Sequence, residues 1–216
     1  MNARNVRFGL LTAAALFAST LAAAAPGPEV SRNHFDSDAP MREPGFFDFV
    51  VLGAPGEALW KVVTEFNPPS APNGVSQVLA ERPSESIATA LRRNVVARDG
   101  TFSLGIKRTA GRGGIVLRWV DAKNFLALLV DPLTGEAHLT SYRQGRATEL
   151  ARGKGESDRV WGALVITAAG PNVSATWEGK LLLDGTDPAP ASGRAGIATA
   201  GPGILAFDEF LIQPAS

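Results

Sequence analysis

Apolar and polar residues alternate along most of this chain in short runs, with Gly, Pro, Asn and Asp between them. Thr101-Phe102-Ser103-Leu104-Gly105-Ile106-Lys107 is typical: every second residue is apolar, the period of a strand with one buried face. The same reading predicts strands at Leu59–Glu65, Val75–Glu81, Ser86–Arg92, Thr101–Lys107, Gly114–Val120, Phe125–Val130 and Ala137–Arg143. It continues with Arg146–Leu150, Trp161–Ala168, Val173–Glu178, Lys180–Leu183, Gly193–Ala198 and Ala206–Gln213. After residue 30 no stretch holds an i, i+3, i+4 apolar stripe for three turns, so helices are not expected. Strands at roughly 8–12-residue spacing, with turn residues between them, predict an all-β antiparallel sandwich or barrel.

The turns carry their own chemistry. Asp131-Pro132-Leu133-Thr134-Gly135 joins two strands, Pro fixing one dihedral and Gly accepting a positive one. Tyr142–Arg146 and Trp177–Lys180 read as hairpins, and Gly111-Arg112-Gly113-Gly114 as another hairpin turn. Gly185–Ser192, with two Pro, reads as a loop without core residues.

The N-terminal stretch has a different character. Arg4 and Arg7 precede the apolar run Leu10–Leu21, which is short for a bilayer span, and the small residues Ala22–Ala25 follow. This predicts a signal peptide over residues 1–25, cut after Ala24 in preference to Ala25, where Pro26 would adjoin the scissile bond. Residues 26–45 read as a lead-in and 46–216 as the folded domain, periplasmic or secreted, with no integral membrane segment.

Composition narrows the chemistry. The 216 residues include 21 basic and 21 acidic side chains and no Cys. Without residues 1–25 the charge is −2, with no basic excess of the kind a nucleic-acid binder shows. The lack of Cys excludes a disulfide scaffold, a thiolate zinc site and a Cys nucleophile. Two His, His34 and His138, are too few for a three-His metal site. Retaining glucanases need paired carboxyls about 5–5.5 Å apart, and no Glu-x-Asp-x-Glu or Glu-x-Asp-x-x-Glu is present. Glu149, Glu156 and Asp158 read as solvated loop charges, and His138 as a partly buried structural residue.

Several blocks, taken in order, resemble a known group. Trp60-Lys61-Val62 with Pro69–Asn73 comes first, then Gly113–Arg118, Asp121, Asn124-Phe125, Tyr142-Arg143 and Gly145-Arg146. Trp161, Glu178-Gly179-Lys180, Gly193–Ile197 and Phe207-Asp208-Glu209-Phe210 complete the set. Together they resemble the exported concanavalin A-like jelly rolls, relatives of the LamG domain and of DUF1080, the 3-keto-disaccharide hydrolase domain. The resemblance implies a two-sheet antiparallel jelly-roll sandwich. The function expected from it is a non-catalytic binding or accessory module for carbohydrate or a glycan-like polymer. A carbohydrate-active hydrolase and a structural interaction domain are the alternatives. Where the group has two Tyr and then an Arg after Asn124, this chain has Phe125, Leu126 and Leu129.

Candidate site residues follow. Strict alternation in Gly114–Val120 sets Ile115, Leu117 and Trp119 on one face and Val116, Arg118 and Val120 on the other. Arg118 is therefore expected to face a groove in a concave sheet, with Asn124 beside it and Trp119 turned into the core. Pairing of Arg118 with Asp121 or Glu136 is the competing structural reading. Arg143 and Trp177 complete the expected ligand set; Trp119 and Trp177 fit a sugar-stacking platform or the core equally, whereas Trp60 and Trp161 open apolar strands and are assigned to the core. No organic cofactor is expected. Related sandwiches hold calcium where the chain ends meet, which makes Asp36 and Asp208 the candidate ligands.

Overall fold

The structure is a computed structural model that describes residues 30–65 and 67–215. The described residues form strands and connections with no helix, as the alternation requires. In chain order the strands are β1 (Ser31–Asn33), β2 (Phe47–Gly53), β3 (Trp60–Thr64), β4 (Asn73–Gln77) and β5 (Ser86–Arg92). Next come β6 (Gly100–Lys107), β7 (Arg112–Asp121), β8 (Asn124–Val130), β9 (Glu136–Arg143) and β10 (Arg146–Lys154). The last are β11 (Trp161–Ala169), β12 (Asn172–Trp177), β13 (Lys180–Thr186), β14 (Arg194–Ala200) and β15 (Ala206–Pro214).

They build two antiparallel sheets, a jelly-roll sandwich of the concanavalin A-like kind. The eight-stranded sheet runs β13-β12-β11-β6-β15-β4-β3, with β1 also on β15. The seven-stranded sheet runs β10-β9-β8-β7-β14-β5-β2. Each sheet contains a meander, β7 to β10 in one and β11 to β13 in the other, while β14 and β15 return to the centres of opposite sheets.

Alternation explains the core. Leu104, Ile106, Ile115, Leu117, Leu126, Leu128, Leu164, Ile166 and Ile197 meet between the sheets, all at or near zero exposure. Trp60 and Phe207 join them, their ring centroids 6.1 Å apart. Each such side chain contributes roughly 1.5–3 kcal/mol by its burial, and in a chain without disulfides this layer joins the two sheets. Along one edge the sheets touch: a Cβ on Gly153 of β10 would overlap the Leu182 carbonyl oxygen of β13, so only glycine lets the strands approach there.

Three expectations are corrected. The lead-in is stitched into the domain: β1 pairs with β15, and Phe35 is buried against Phe47, their ring centroids 6.0 Å apart. β2 forms where alternation predicts no strand, because its run Phe47–Leu52 lacks a clean two-residue period; Phe49 packs on the inner core and Val50 on the opposite face. Gly111–Gly114 is not a hairpin, since β6 and β7 belong to different sheets and the turn carries the chain from one to the other. The signal-peptide expectation falls on residues 1–25, outside the described residues.

Candidate functional site

The outer face of the seven-stranded sheet has its own apolar layer. β8 reads Asn-Phe-Leu-Ala-Leu-Leu-Val and is apolar on both faces. Leu126, Leu128 and Val130 point inward, while Phe125, Ala127 and Leu129 join Ile87, Leu91, Val116, Ala198 and Ala200 on the outside. An open sheet face would normally be polar. Here small residues keep the floor low, and neighbouring side chains and loops cover it. The result is a cleft of about 620 Å³, within the range of ligand sites.

β9 supplies one wall by alternation. His138, Thr140 and Tyr142 face the cleft, and Ala137, Leu139 and Ser141 turn inward. Tyr142 lies opposite Phe125 in register, and the rings stack at 4.2 Å with 13° between planes. The hydroxyls of Thr140 and Tyr142 have no protein partner among the described residues, which leaves both open to a ligand. Burial raises the Tyr142 phenol above its ordinary range, against the opposing charge of Arg112, so it stays a neutral hydroxyl at neutral pH. Arg112 and Glu85 stand on the opposite rim; an Arg112 Nη2 donates to the Ser84 carbonyl at 3.3 Å, and Glu85 accepts from Ser84 Oγ at 2.7 Å. His138 Nδ1 lies 2.7 Å from Glu149 Oε2, and Arg152 Nη2 donates to the same oxygen at 3.3 Å. These partners hold the Glu149 carboxyl below the usual range, His138 contributing most. His138 is therefore partly buried as expected, and it also lines the cleft.

The expected site residues lie elsewhere. Arg118 is 1% exposed and faces away from the cleft. Alternation fails at this point because β7 bulges between Leu117 and Asp121, and Arg118 takes a φ of +52°. The bulge sends the guanidinium into the closed end of the sandwich. There Nε donates to the Arg98 carbonyl at 2.9 Å and Nη2 to the Gly170 carbonyl at 2.6 Å, while Nη1 meets Asp187 Oδ2 at 2.8 Å. Asp99 adds a second carboxylate at 3.3 Å, so neither Asp121 nor Glu136 is the partner. Trp119 takes the reverse position: it packs on the outer apolar layer, with the Arg194 guanidinium 5.3 Å from its ring centroid.

Arg143 belongs to the same buried network. Its Nη2 donates to Asp187 Oδ1 at 2.8 Å and to the Ala189 carbonyl at 2.7 Å. Asp187 is fully buried; burial raises its pKa, but Arg143, Arg118 and the Ala189 N–H outweigh that and keep it below the ordinary range. Asn124 closes a turn, donating to Asp121 Oδ1 at 2.9 Å and accepting from the Gln144 N–H at 3.1 Å. Trp177 is 2% exposed and belongs to the inner core, so it offers no platform. Arg118 sits at a bulge and Asn124 at a turn, where a two-residue period gives no direction, whereas Trp177 and Arg143 follow the inward alternation of β12 and β9.

Asp36 and Asp208 each bind one end of the segment Ser70–Asn73. Asp36 Oδ1 accepts from the Asn73 N–H at 3.0 Å. Asp208 Oδ2 accepts from the Ser70 N–H at 2.6 Å and Oδ1 from the Glu209 N–H at 2.7 Å, with Ser70 Oγ 3.1 Å from both. Among the described residues no three His, Cys, Asp or Glu side chains gather as metal ligands. Calcium takes six to eight oxygens. The Asp208 carboxylate is instead surrounded by N–H and O–H donors, which do not fit a cation.

No family model matches the sequence, and no curated protein matches it. Solved structures do match in fold. The carbohydrate binding module CBM66 from Bacillus subtilis aligns with a TM-score of 0.53 at 17% identity, over 71% of this chain and 95% of that one. A protein of unknown function with a galectin-like fold, also from Bacillus subtilis, aligns at 0.52 and 13%, over 77% and 89%. The apo Crh5 transglycosylase aligns at 0.54 and 11%, over 88% and 86%. At these identities the likeness establishes the jelly-roll sandwich and nothing finer.

Proposed function

We propose that this chain is an exported, non-catalytic binding module for glycans and that the cleft on the seven-stranded sheet is its ligand site. The observation carrying this reading is the Tyr142–Phe125 stack over an apolar floor, beside unpartnered hydroxyls and ringed by Arg112, Glu85 and His138. A sugar ring needs just this combination, an aromatic face for its C–H groups and a few donors and acceptors for its hydroxyls. The fold is shared with a carbohydrate binding module, which makes the ligand class a natural one to test. A net charge near zero, with no basic excess, argues against nucleic acid. No helix among the described residues is long and apolar enough to cross a membrane.

The hydrolase reading, with its implied kinship to 3-keto-disaccharide hydrolases, would draw on Glu85 and Glu149. Glu149, however, is exposed and engaged by both His138 and Arg152, not held in a dry pocket as a general acid requires. A glycan-array screen of the chain lacking residues 1–25, followed by calorimetry on the hits, tests the binding reading. Retention of a glycan family, lost in Tyr142→Ala, is expected. No retained glycan, retention insensitive to Tyr142→Ala, or turnover of a 3-keto-disaccharide would overturn it.

A further inference from the structure

The eight-stranded sheet has a recess of its own, on the face pointing away from the cleft. On β11 the outward residues are Trp161, Ala163 and Val165; on β6 they are Ser103 and Gly105, with Ala163 opposite Gly105 and Val165 opposite Ser103. Gly, Ala and Ser make a low floor. Around it rise Trp161 on one side and Pro69, Glu209, Glu178 and Arg159 on the others, enclosing about 360 Å³.

Glu209 is placed there by a backbone irregularity. Asp208 pairs with Gly105 and Leu211 with Ser103, so Glu209 and Phe210 together oppose the single residue Leu104. This bulge lets Phe210 enter the core, fully buried, while Glu209 points outward at a φ of +51°. A left-handed Glu inside a strand is a costly conformation, and such bulges commonly re-aim a side chain toward a ligand. One Glu209 oxygen lies 2.8 Å from His34 Nδ1. The other has no protein partner among the described residues, and neither does the Ser103 hydroxyl. Glu178 is held in place by the Ala163 N–H and by Arg159 Nε at 3.0 Å.

We propose that this recess is a second saccharide site, one that takes one or two rings of a neutral sugar. Trp161 and Pro69 offer apolar surface to the C–H face of a ring. The free Glu209 oxygen accepts from a hydroxyl pair, and Ser103 Oγ donates or accepts on the floor. Among the described residues the basic groups around the recess, Arg159, His34 and Lys107 opposite Trp161, all pair with carboxylates, so an anionic sugar finds no unengaged partner there. The site shares the ligand class of the proposed function but not its position. Two sites on opposite sheets would bridge separate glycan strands instead of extending one row of contacts along a single strand.

The four Trp make the test selective. Protein labelled with 5-fluorotryptophan gives one fluorine resonance per Trp, assigned with single Trp→Phe variants. Trp119 packs on the layer beneath the cleft, Trp161 lines the recess, and the buried Trp60 and Trp177 serve as controls. The labelled chain is titrated with neutral oligosaccharides of glucose, xylose, arabinose, galactose and fructose, and with tetramethylammonium. A saturable shift of the Trp161 resonance with at least one saccharide is expected, persisting in Tyr142→Ala and weakened tenfold or more in Glu209→Ala. A shift confined to Trp119 would remove the second site and leave the cleft standing. No saccharide shift at Trp161 would remove the second site, and the cleft is then judged by its own Tyr142→Ala titrations. A Trp161 shift with tetramethylammonium alone would overturn the saccharide assignment.

Discussion

Arg118 Nη1 and Asp187 Oδ2 lie 2.8 Å apart with both side chains essentially sealed from solvent, 1% and 0% exposed. Asp187 follows the end of β13, and Arg118 sits on the β7 bulge, so the pair ties one sheet's meander to the other at the end of the sandwich. Arg143 reaches the same carboxylate from β9, and the Arg98 and Gly170 carbonyls complete the guanidinium's partners.

Removing one side of this network strips a buried charge of its most buried partner: of its cations Asp187 keeps only Arg143, and Arg118 keeps only Asp99 and backbone carbonyls. Arg118→Ala and Asp187→Ala are each expected to cost about 3–5 kcal/mol. The double variant should cost clearly less than the sum, because the residues act as one unit. Denaturant melts on the three variants measure this. Additive losses, or a loss below about 1 kcal/mol for Arg118→Ala, would show that the network does not close the fold.

The cleft separates binding from folding in a second comparison. Tyr142→Ala should weaken glycan affinity tenfold or more, about 1.4 kcal/mol or above. Its stability loss should be small, since Tyr142 is only partly buried. Trp177→Ala should do the reverse: it empties a core position, costs about 3–5 kcal/mol, and leaves the affinity of the folded fraction unchanged. Paired melts and titrations check both. Loss of affinity in folded Trp177→Ala protein would return Trp177 to the ligand site.

Most of the sandwich was legible from period-two alternation. Ser86–Arg92 matches β5 end to end, and β6 to β9 and β11 differ from their expected bounds by no more than two residues at either end. Asp131 shows why its turn was readable: its carboxylate accepts from the Leu133 and Thr134 N–H groups, a local device that a short motif encodes. The site was not legible in the same way. Arg118 and Glu209 take their directions from bulges, which depend on two strands at once, and Asp187 is buried only because two arginines from distant strands converge on it. One signal was available. Phe125-Leu126-Ala127-Leu128-Leu129 is apolar on both faces, which marks its sheet as the one whose outer surface is covered, and Tyr142 is the partner of Phe125 across the next hairpin.

Calcium should leave the protein's thermal stability unchanged. A cation bound only to the folded state would raise stability by about 2.7 kcal/mol at a hundredfold excess over its dissociation constant. Both Asp208 carboxylate oxygens are already engaged by the Ser70 and Glu209 N–H groups and the Ser70 hydroxyl. Scanning calorimetry with millimolar calcium and again with excess chelator checks this. A melting temperature that rises with calcium and falls with chelator would restore Asp36 and Asp208 as ligands.

Asp208 should give the pH dependence of stability an unusual slope. Burial pushes its pKa up to about 6, against hydrogen bonds from the Ser70 and Glu209 N–H groups and the Ser70 hydroxyl, while the charge of Glu209 adds to the rise. The ordinary value is 3.8. The folded protein thus holds this proton after the unfolded chain has released it. Stability from this group is fully present below about pH 4, declines as pH rises toward 6, and is level above that. At about 1.4 kcal/mol per unit, the change is on the order of 3 kcal/mol at most. Asp187 and Asp99 have lowered pKa values and act in the opposite sense, losing their contribution as pH falls through and below the ordinary carboxylate range. Comparison with Asp208→Asn removes those opposing groups from the result, because both proteins share them. The difference in unfolding free energy should move in favour of the wild type between pH 7 and pH 4, whatever its value at pH 7. A difference that stays constant over that range, or moves toward the variant, would mean that Asp208 is already ionised in the folded protein at pH 4 and that its three donors outweigh its burial.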